Sequence, residues 1–514
     1  MRKAIIFALA FLLLLPLTKA DTYLTSCAVL DTPGETYYLT QDIINYTSGD
    51  FCMDVRASNI IIDCQGHTIS TSMETPSYAG IIYNPAGGGS GLVVRNCILT
   101  GWSFGVYLSG VSNNVLQNLV MSTNGTYGTG VELAYSSFNT LTNVTIFNTT
   151  SGLEISDSDY TNVFNSTIKN NFADVFYRNH ERYCHSYYEN VIGTNDKPIV
   201  FFNSTVEIRG WDNNASEIIL CGADNSIVDN LKFSPSSYGW RYFVVQSNNV
   251  TISNSNFSNT DVWSDYSNNV TIFNSNFNDA FARSDYSNNV TISNSIFNNQ
   301  GIGFYNSNNG TVYNVSISSS DFFGIYLSTS NFITISNSRI QNCTYGIRLR
   351  NSANNSIYNN LFNNTNNFGF SGAIYPNYWN TTRQTGTRVY SFGNEIGGNY
   401  WTNATGNGYS DTCTDADKDG FCDDPYVLAT DNVDYLALSD EYPSPTTTTL
   451  PPVHGVPLLS GTLVGIVIGS GILIFMLRTL FDITMKGDPK KIIEYFIVLA
   501  VIVLTVLSLE VLFA

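Results

Sequence analysis

Charge is scarce in this sequence. Only 12% of its 514 residues are Asp, Glu, Lys or Arg, against roughly a quarter in ordinary globular domains, and the basic kind is the scarcer. With 23 Lys and Arg against 41 Asp and Glu the net charge is −18, which excludes a nucleic-acid binder because phosphate recognition needs a basic face. Four His and six Met leave little material for sites built on imidazole or soft ligands. Helical periodicity is missing between the two ends. Asn, Ser and Thr fill the polar positions instead, and 13% aromatic residues argue against disorder.

The two ends hold the long apolar runs. Arg2 and Lys3 precede AIIFALAFLLLLPL, and small residues close the segment at Ala20, so residues 1–20 read as a secretory signal peptide cleaved before Asp21. Residues 456–477 and 492–513 each approach the roughly 20 apolar residues of a spanning helix. Arg478, Lys486, Lys490 and Lys491 lie between them, and basic residues in a short loop mark the cytoplasmic side. The expected topology is a transmembrane helical hairpin with loop 478–491 inside and the rest of the chain outside, displayed at the cell membrane. Residues 443–455, rich in Thr and Pro, read as an extended stalk open to O-glycosylation.

Between the ends lies a repeat. NNVTI begins at Asn248, Asn268 and Asn288, and NNGTV at Asn308, each 20 residues after the last. Anchored on the closing aliphatic residue, the series runs through Val94, Leu116, Leu141, Val163, Val228, Ile252, Ile272, Ile292, Val312, Ile335 and Ile357, most steps being 20 to 25 residues. An Asn stands two places after every anchor, from Asn96 to Asn359, and an apolar residue five places after, from Leu99 to Phe362. A period near 22 made of short β-patterned pieces is one coil of a parallel β-helix, in which each coil buries its inner face against its neighbours and identical positions form ladders. The Asn column, Asn143 and Asn274 included, is expected to point inward and bond from coil to coil.

SNNVTISNSNF, NSANNSIYNN and the G-I-x-L strands resemble the repeats of carbohydrate-binding and sugar-hydrolase β-helix proteins, over about Ser58 to Tyr435. The segment GGNYWTNATGNGYSDTCTDADKDGFCDDPYVL and IDCQGHTI at Ile62 to Ile69 are similar to NosD-like proteins, the periplasmic copper-binding group, and to archaeal membrane-anchored surface proteins. The resemblance implies an all-β, right-handed parallel β-helix and no particular reaction. The organisation expected is an N-terminal cap over 21–57, coils over 58–400, and a calcium-binding-like segment over 401–442 ahead of the stalk.

Chemistry must then sit on the outer face. Nine residues before each anchor lies an outward position, flanked by inward apolar residues. The column reads Tyr107, Glu132, Glu154, Phe243, Trp263, Arg283, Gly303, Tyr326 and Arg348. Aromatic and charged side chains in such a row could hold an oligosaccharide along the axis, unless the aromatics only fill space beneath a covering loop. Glu132 and Glu154 are one coil apart, as a paired acid and base of glycoside cleavage would be. Asp174 continues the column or, with a slip of one residue, turns inward. Asp265 and Asp285, in two copies of SDYSNNVTI, form a second pair beside Trp263, Arg283 and Tyr305. Polygalacturonase and alginate-epimerase motifs are missing. His180 and His185, in NHERYCHSYYEN, interrupt the repeat and read as a loop decorating one coil.

Nine cysteines in an exported chain point to disulfides with one thiol left over. Cys27 with Cys52 would staple the cap, Cys413 with Cys422 would close a short loop, and Cys184 with Cys221 is a further pair; Cys64, Cys97 and Cys343 stay open between buried thiols and another bridge. In Asp415-Ala-Asp417-Lys-Asp419-Gly420-Phe421 carboxylates alternate before a glycine, as in Ca²⁺ loops. Asp415, Asp417, Asp419, Asp423 and the Phe421 carbonyl would ligate a structural Ca²⁺, although Tyr426 stands where an EF-hand has its bidentate Glu. No copper is expected, because Met53, Met73 and Met121 are the methionines of the exported part.

The function these features suggest is a membrane-anchored surface protein whose partners are glycans or surface-layer proteins. The alternative is a membrane-tethered glycoside hydrolase or lyase using Glu132 and Glu154. Sequons at Asn45, Asn203, Asn249, Asn269, Asn289, Asn309 and Asn380 allow N-glycosylation, though an Asn/Thr-rich repeat also generates the triplet by chance.

Overall fold

The computed structural model describes residues 21–72, 79–123, 128–178, 184–234 and 239–440. The signal peptide, the stalk, both apolar spans and loop 478–491 lie outside the described residues, as does His180. Among the described residues no helix is long and apolar enough to cross a membrane.

The chain forms a parallel β-solenoid of about fifteen coils, built as two stacks. The first has an eleven-stranded and a seven-stranded sheet, and the second has three sheets of nine, eight and eight strands. Strands from Thr22 onward already pair in register, Thr22 with Tyr37 and Ala28 with Met53, so coils begin ahead of Ser58 and the expected cap is itself solenoid. The inner positions are those read from the repeat: Val94, Leu116, Leu141 and Val163 are fully buried, as are Phe257, Phe277 and Phe297. These rings stack at centroid separations of 5.1 and 4.4 Å.

The Asn column corrects the sequence reading. Each member from Asn96 to Asn359 has a positive φ, between 49° and 58°, the left-handed conformation that Asn tolerates better than other residues carrying a Cβ. That corner turns the side chain outward. Asn143 and Asn274 are exposed, and their amides form a surface ladder, with Asn143 Nδ2 donating to Asn118 Oδ1 at 2.9 Å and Asn118 to Asn96 at 2.9 Å. The inward polar ladder lies one residue later and is made largely of serine. The Leu231 N–H donates to Ser255 Oγ at 3.1 Å, Ser255 N–H to Ser275 Oγ at 3.2 Å, and Ser275 N–H to Ser295 Oγ at 3.1 Å. A second buried column runs from Ser247 through Ser267, Ser287, Ser307 and Ser330 to Ser352.

Four disulfides close the chain: Cys27–Cys52, Cys64–Cys97, Cys184–Cys221 and Cys413–Cys422. Cys343 is a buried free thiol. The last coil is plugged by buried Trp379 and Trp401. Both indole N–H groups donate to polar atoms beneath them, Trp379 to Asn432 Oδ1 at 3.0 Å and Trp401 to Asp434 Oδ2 at 2.9 Å.

The two stacks meet through side chains the repeat would leave outside. Ile219, Cys221, Phe243, Val245 and Trp263, all on the outer face of the nine-stranded sheet, belong to one apolar cluster with Phe176, Tyr177 and Val191 of the first stack. Cys184–Cys221 ties the same joint.

The ladders make opposite demands on mutation. Ser275→Ala strips the buried Ser255 N–H of its acceptor and should destabilise by about 1–3 kcal/mol. Asn274→Gly keeps the left-handed corner, loses only an exposed amide, and should change stability by less than about 1 kcal/mol. Urea denaturation of the two variants measures both; the opposite ranking would mean that the surface amides hold the coils together.

Candidate functional site at the junction of the stacks

The outward column forms as read. Tyr107, Glu132, Glu154 and then Phe176 are successive rungs of the seven-stranded sheet. Phe243, Trp263, Arg283, Gly303, Tyr326 and Arg348 are rungs of the nine-stranded sheet, and Val245, Asp265, Asp285 and Tyr305 form the outward ladder beside them. Phe176 rather than Asp174 continues the first column. Asp174 is wholly buried and accepts from the Thr194 N–H at 2.8 Å and the Thr194 hydroxyl at 3.0 Å.

Two expected ligand-stacking rings are not free to stack. Phe243 is 2% exposed and Trp263 7%, because Phe176 packs against both, at 6.1 and 5.6 Å between centroids. Arg283 covers what remains of Trp263. Its guanidinium lies 4.3 Å from the indole and 4.3 Å from the Tyr305 ring, while its Nε donates to Asp285 Oδ1 at 2.9 Å and Nη2 lies 2.8 Å from Oδ2. Trp263 Nε1 also donates to Asp285, at 3.1 Å. These rings are the floor of a site rather than its contact surface.

The joint brings the two acid pairs together around a residue that the repeat pattern does not reveal. Arg178, the last residue of the strand Ala173–Arg178, acts electrostatically on Glu132, Glu154, Asp265 and Asp285 alike. Its guanidinium sits 5.1 Å from the Phe176 ring. With Trp263, Asp265, Tyr266, Arg283, Asp285 and Tyr286 it lines a cleft of about 220 Å³. Tyr266 and Tyr286 supply aromatic surface there: their rings stack at 4.8 Å, 5° from parallel, and Tyr286 is 48% exposed. Both stand at left-handed corners in the duplicated SDYSNN motif, so the duplication carried the signal although the tyrosines were passed over. Tyr326 and Arg348 lie further along the column, where Tyr326 stacks on Phe323 at 4.8 Å and Arg348 covers Phe323 and Tyr345.

Burial and like charge hold protons on this cluster. Burial raises Glu132 to about 7, helped by the charge of Glu154 and opposed by Arg178. Asp265 is likewise raised by burial to about 7, with Asp285 adding to the effect. Glu154 and Asp285 are raised by burial too, each restrained by a neighbouring guanidinium or hydrogen bonds. Each pair therefore offers a protonated acid beside a more readily ionised carboxylate near neutral pH.

A second candidate lies in the C-terminal segment. Carboxylate oxygens of Asp415, Asp417 and Asp419 all come within 4.8 Å of one another, an acidic cluster that could hold a metal ion. The backbone shapes the loop around them: Asp415 accepts from the Asp419 N–H at 3.1 Å and the Gly420 N–H at 2.8 Å, with Gly420 at φ 85°. Asp423 stands outside the three and accepts from the Ala416 N–H at 3.1 Å. Arg383 pairs with Asp419, and Arg388 donates to the Gly420 carbonyl at 2.8 Å.

The model of the family described as "Periplasmic copper-binding protein (NosD)" matches residues 202–406, and that described as "Right handed beta helix region" matches residues 52–192. The chain is a right-handed parallel β-helix repeat protein of NosD-like type. No curated protein matches this NosD-like chain. Among solved structures it is similar to the Azotobacter vinelandii mannuronan C-5 epimerase AlgE4 A-module (11% identity, 67% of this chain and 88% of the other, TM-score 0.23). It is also similar to the DFA-IIIase of Arthrobacter chlorophenolicus A6 (12%, 64% and 84%, 0.25) and to the tailspike protein of E. coli bacteriophage HK620 (11%, 68% and 71%, 0.24).

The copper in the family's description does not fit the ligands of the described residues. Among the described residues the grouping of three or more His, Cys, Asp or Glu side chains is the all-carboxylate cluster, whereas copper favours imidazole and sulfur donors. His185 is held at 2.6 Å by Asp159, and Met53 and Met121 are buried in the core.

The raised acids make a signed prediction. A carboxyl whose folded pKa lies above its unfolded value keeps its proton in the folded state after the unfolded chain has lost it, so stability falls as pH rises from about 4.5 through about 7. Glu132→Gln should remove part of that slope and stabilise the protein at pH 8 by about 1 kcal/mol, a figure reduced for solvent screening of a half-buried group. Melting temperatures measured from pH 5 to pH 8 should converge at the acid end and separate at the basic end. Parallel curves would place Glu132 in an ordinary aqueous environment.

Proposed function

We propose that this protein is a surface-displayed β-helix that binds glycans, and that the junction cleft is the binding site. The observation that carries the reading is the composition of that cleft. A stacked tyrosine pair, two guanidinium groups and the Asp265–Asp285 pair line it, with Glu132 and Glu154 within reach of the Arg178 charge, which suits the alternating apolar faces and hydroxyl edges of a sugar. The signal peptide, the stalk and the apolar spans support display outside the cell with the chain held at the membrane. A glycan-array screen tests this reading. Tyr286→Ala or Arg178→Ala should weaken retention of any hit several-fold, whereas Glu132→Gln should leave it nearly unchanged; failure of the wild type to retain any glycan would end the proposal.

A second reading, cleavage of the bound glycan, is favoured by one observation: Glu132 holds its proton to about 7 one rung from Glu154. Adjacent rungs are about 4.8 Å apart, close to the carboxyl separation of retaining glycosidases. Product analysis on the same hits separates the readings. Turnover by wild type that disappears in Glu132→Gln and Glu154→Gln, with binding kept, would make the protein an enzyme.

The acidic loop is proposed to hold Ca²⁺ as a structural ion. Hard oxygen donors at alternate positions before a turn glycine support that choice. Chelation should speed hydrogen exchange over residues 401–435 and leave the coils protected, and Asp417→Asn should abolish the response. Exchange that is indifferent to calcium would remove the ion from the account.

A further inference from the structure

A second groove lies away from the junction. About 760 Å³ in volume, it runs over three successive coils of the second stack, beneath a loop that includes Gly386–Val389 and Ile396. Its floor is a grid set by the register. Ile296, Ser316 and Arg339 are one ladder, Tyr313 stands on the strand edge before them, and the corner residues Asn294, Asn314 and Asn337 lie between.

The wall over this floor is fixed from both sides. Arg339 donates to the Val389 carbonyl, Asn359 Nδ2 donates to the Thr387 carbonyl at 2.9 Å, and the Val389 N–H donates to Asn359 Oδ1 at 3.3 Å. The surface amide ladder breaks here. Asn314 donates to Asn294 at 2.8 Å and Asn359 to Asn337, but among the described residues no hydrogen bond joins Asn337 to Asn314. One amide acceptor and one amide donor therefore remain open in the groove. Tyr313 is 45% exposed beside them and Ile296 47%.

Charge decides the class of occupant. Arg339 and Arg388 are the charged residues of the lining, and none of the lining residues is acidic, although acidic residues outnumber basic ones by 41 to 23 in the whole chain. We propose that this groove is a second binding site, separate from the junction cleft, for an anionic saccharide chain lying along the coil axis. Arg339 meets the negative group, Tyr313 takes a ring face, and the open amides of Asn314 and Asn337 bond hydroxyls. The inference does not rest on the junction site.

The test is calorimetric titration with uronate-bearing oligosaccharides, using malto-oligosaccharides and polyglutamate as controls. Tyr313→Ala and Arg339→Gln should each weaken uronate binding at least ten-fold, and Arg339→Lys should weaken it less. Asn337→Asp, which adds a negative charge to a half-buried floor position without removing a packing group, should also weaken it. Added salt should loosen binding, and Arg178→Ala at the junction should leave it unchanged. The proposal is overturned if wild type ignores uronates, if malto-oligosaccharides or polyglutamate bind as well, or if the loss follows Arg178→Ala instead. The last outcome would leave the junction site standing alone.

Discussion

Every coil of this protein leaves hydrogen-bonding groups that only the next coil can satisfy. Backbone groups of the short strands pair across coils, and where the strands stop, buried serine hydroxyls accept the corner N–H groups of the coil before. Register is consequently not adjustable: a slip of one residue would bury the exposed Asn corners and expose the serine column. The same constraint dictates the chemistry outside. Whatever side chain occupies an outward position is stacked about 4.8 Å from its counterpart, so like residues become neighbours regardless of charge.

The junction shows what that enforced stacking can do. Glu132 above Glu154 and Asp265 above Asp285 are arrangements that free surface side chains would avoid, yet the register holds them. Burial by the opposing stack then makes ionisation harder, while Arg178 and Arg283 keep the cost tolerable. Phe176, Phe243 and Trp263 exclude water from beneath and leave Tyr266 and Tyr286 at the opening. Polar chemistry is thus concentrated where two apolar surfaces close on each other.

Much of this was legible from the repeat. The inner aliphatic ladder and the outward column from Tyr107 to Arg348 follow from alternation and spacing, because a solenoid turns sequence period directly into position; three of the four cysteine pairs were legible as well, whereas Cys64–Cys97 stayed open. The direction of the Asn column was misread for a local reason. A two-residue offset from an inward anchor implies inward only while the strand continues, and the chain leaves the strand at that Asn for a left-handed corner. Arg178 was beyond reach for a different reason, and the burial of Phe243 and Trp263, open in the sequence as space filling beneath a loop, comes instead from the other stack. Both arise where the interruption after residue 178 lets one stack rest against the side of another, and docking of that kind has no period to read. The groove beneath the Gly386–Ile396 loop was hidden likewise, since its wall comes from chain that follows the last full coil.

A solenoid of this type ordinarily frays from its ends, where a terminal coil can peel away while breaking only its own few bonds. Here both ends are fastened. Cys27–Cys52 and Cys64–Cys97 pin the opening coils, and the Trp379, Trp401 and Asp434 plug seals the last one. Under tension or heat the weak plane is then moved to the middle, where the seam between the stacks is crossed by no continuous sheet and is bridged by apolar contact, the Cys184–Cys221 bond and such buried hydrogen bonds as that from the Val175 N–H to Glu217. Reduction would loosen that seam and release the opening coils together, since Cys27–Cys52 and Cys64–Cys97 would break along with Cys184–Cys221.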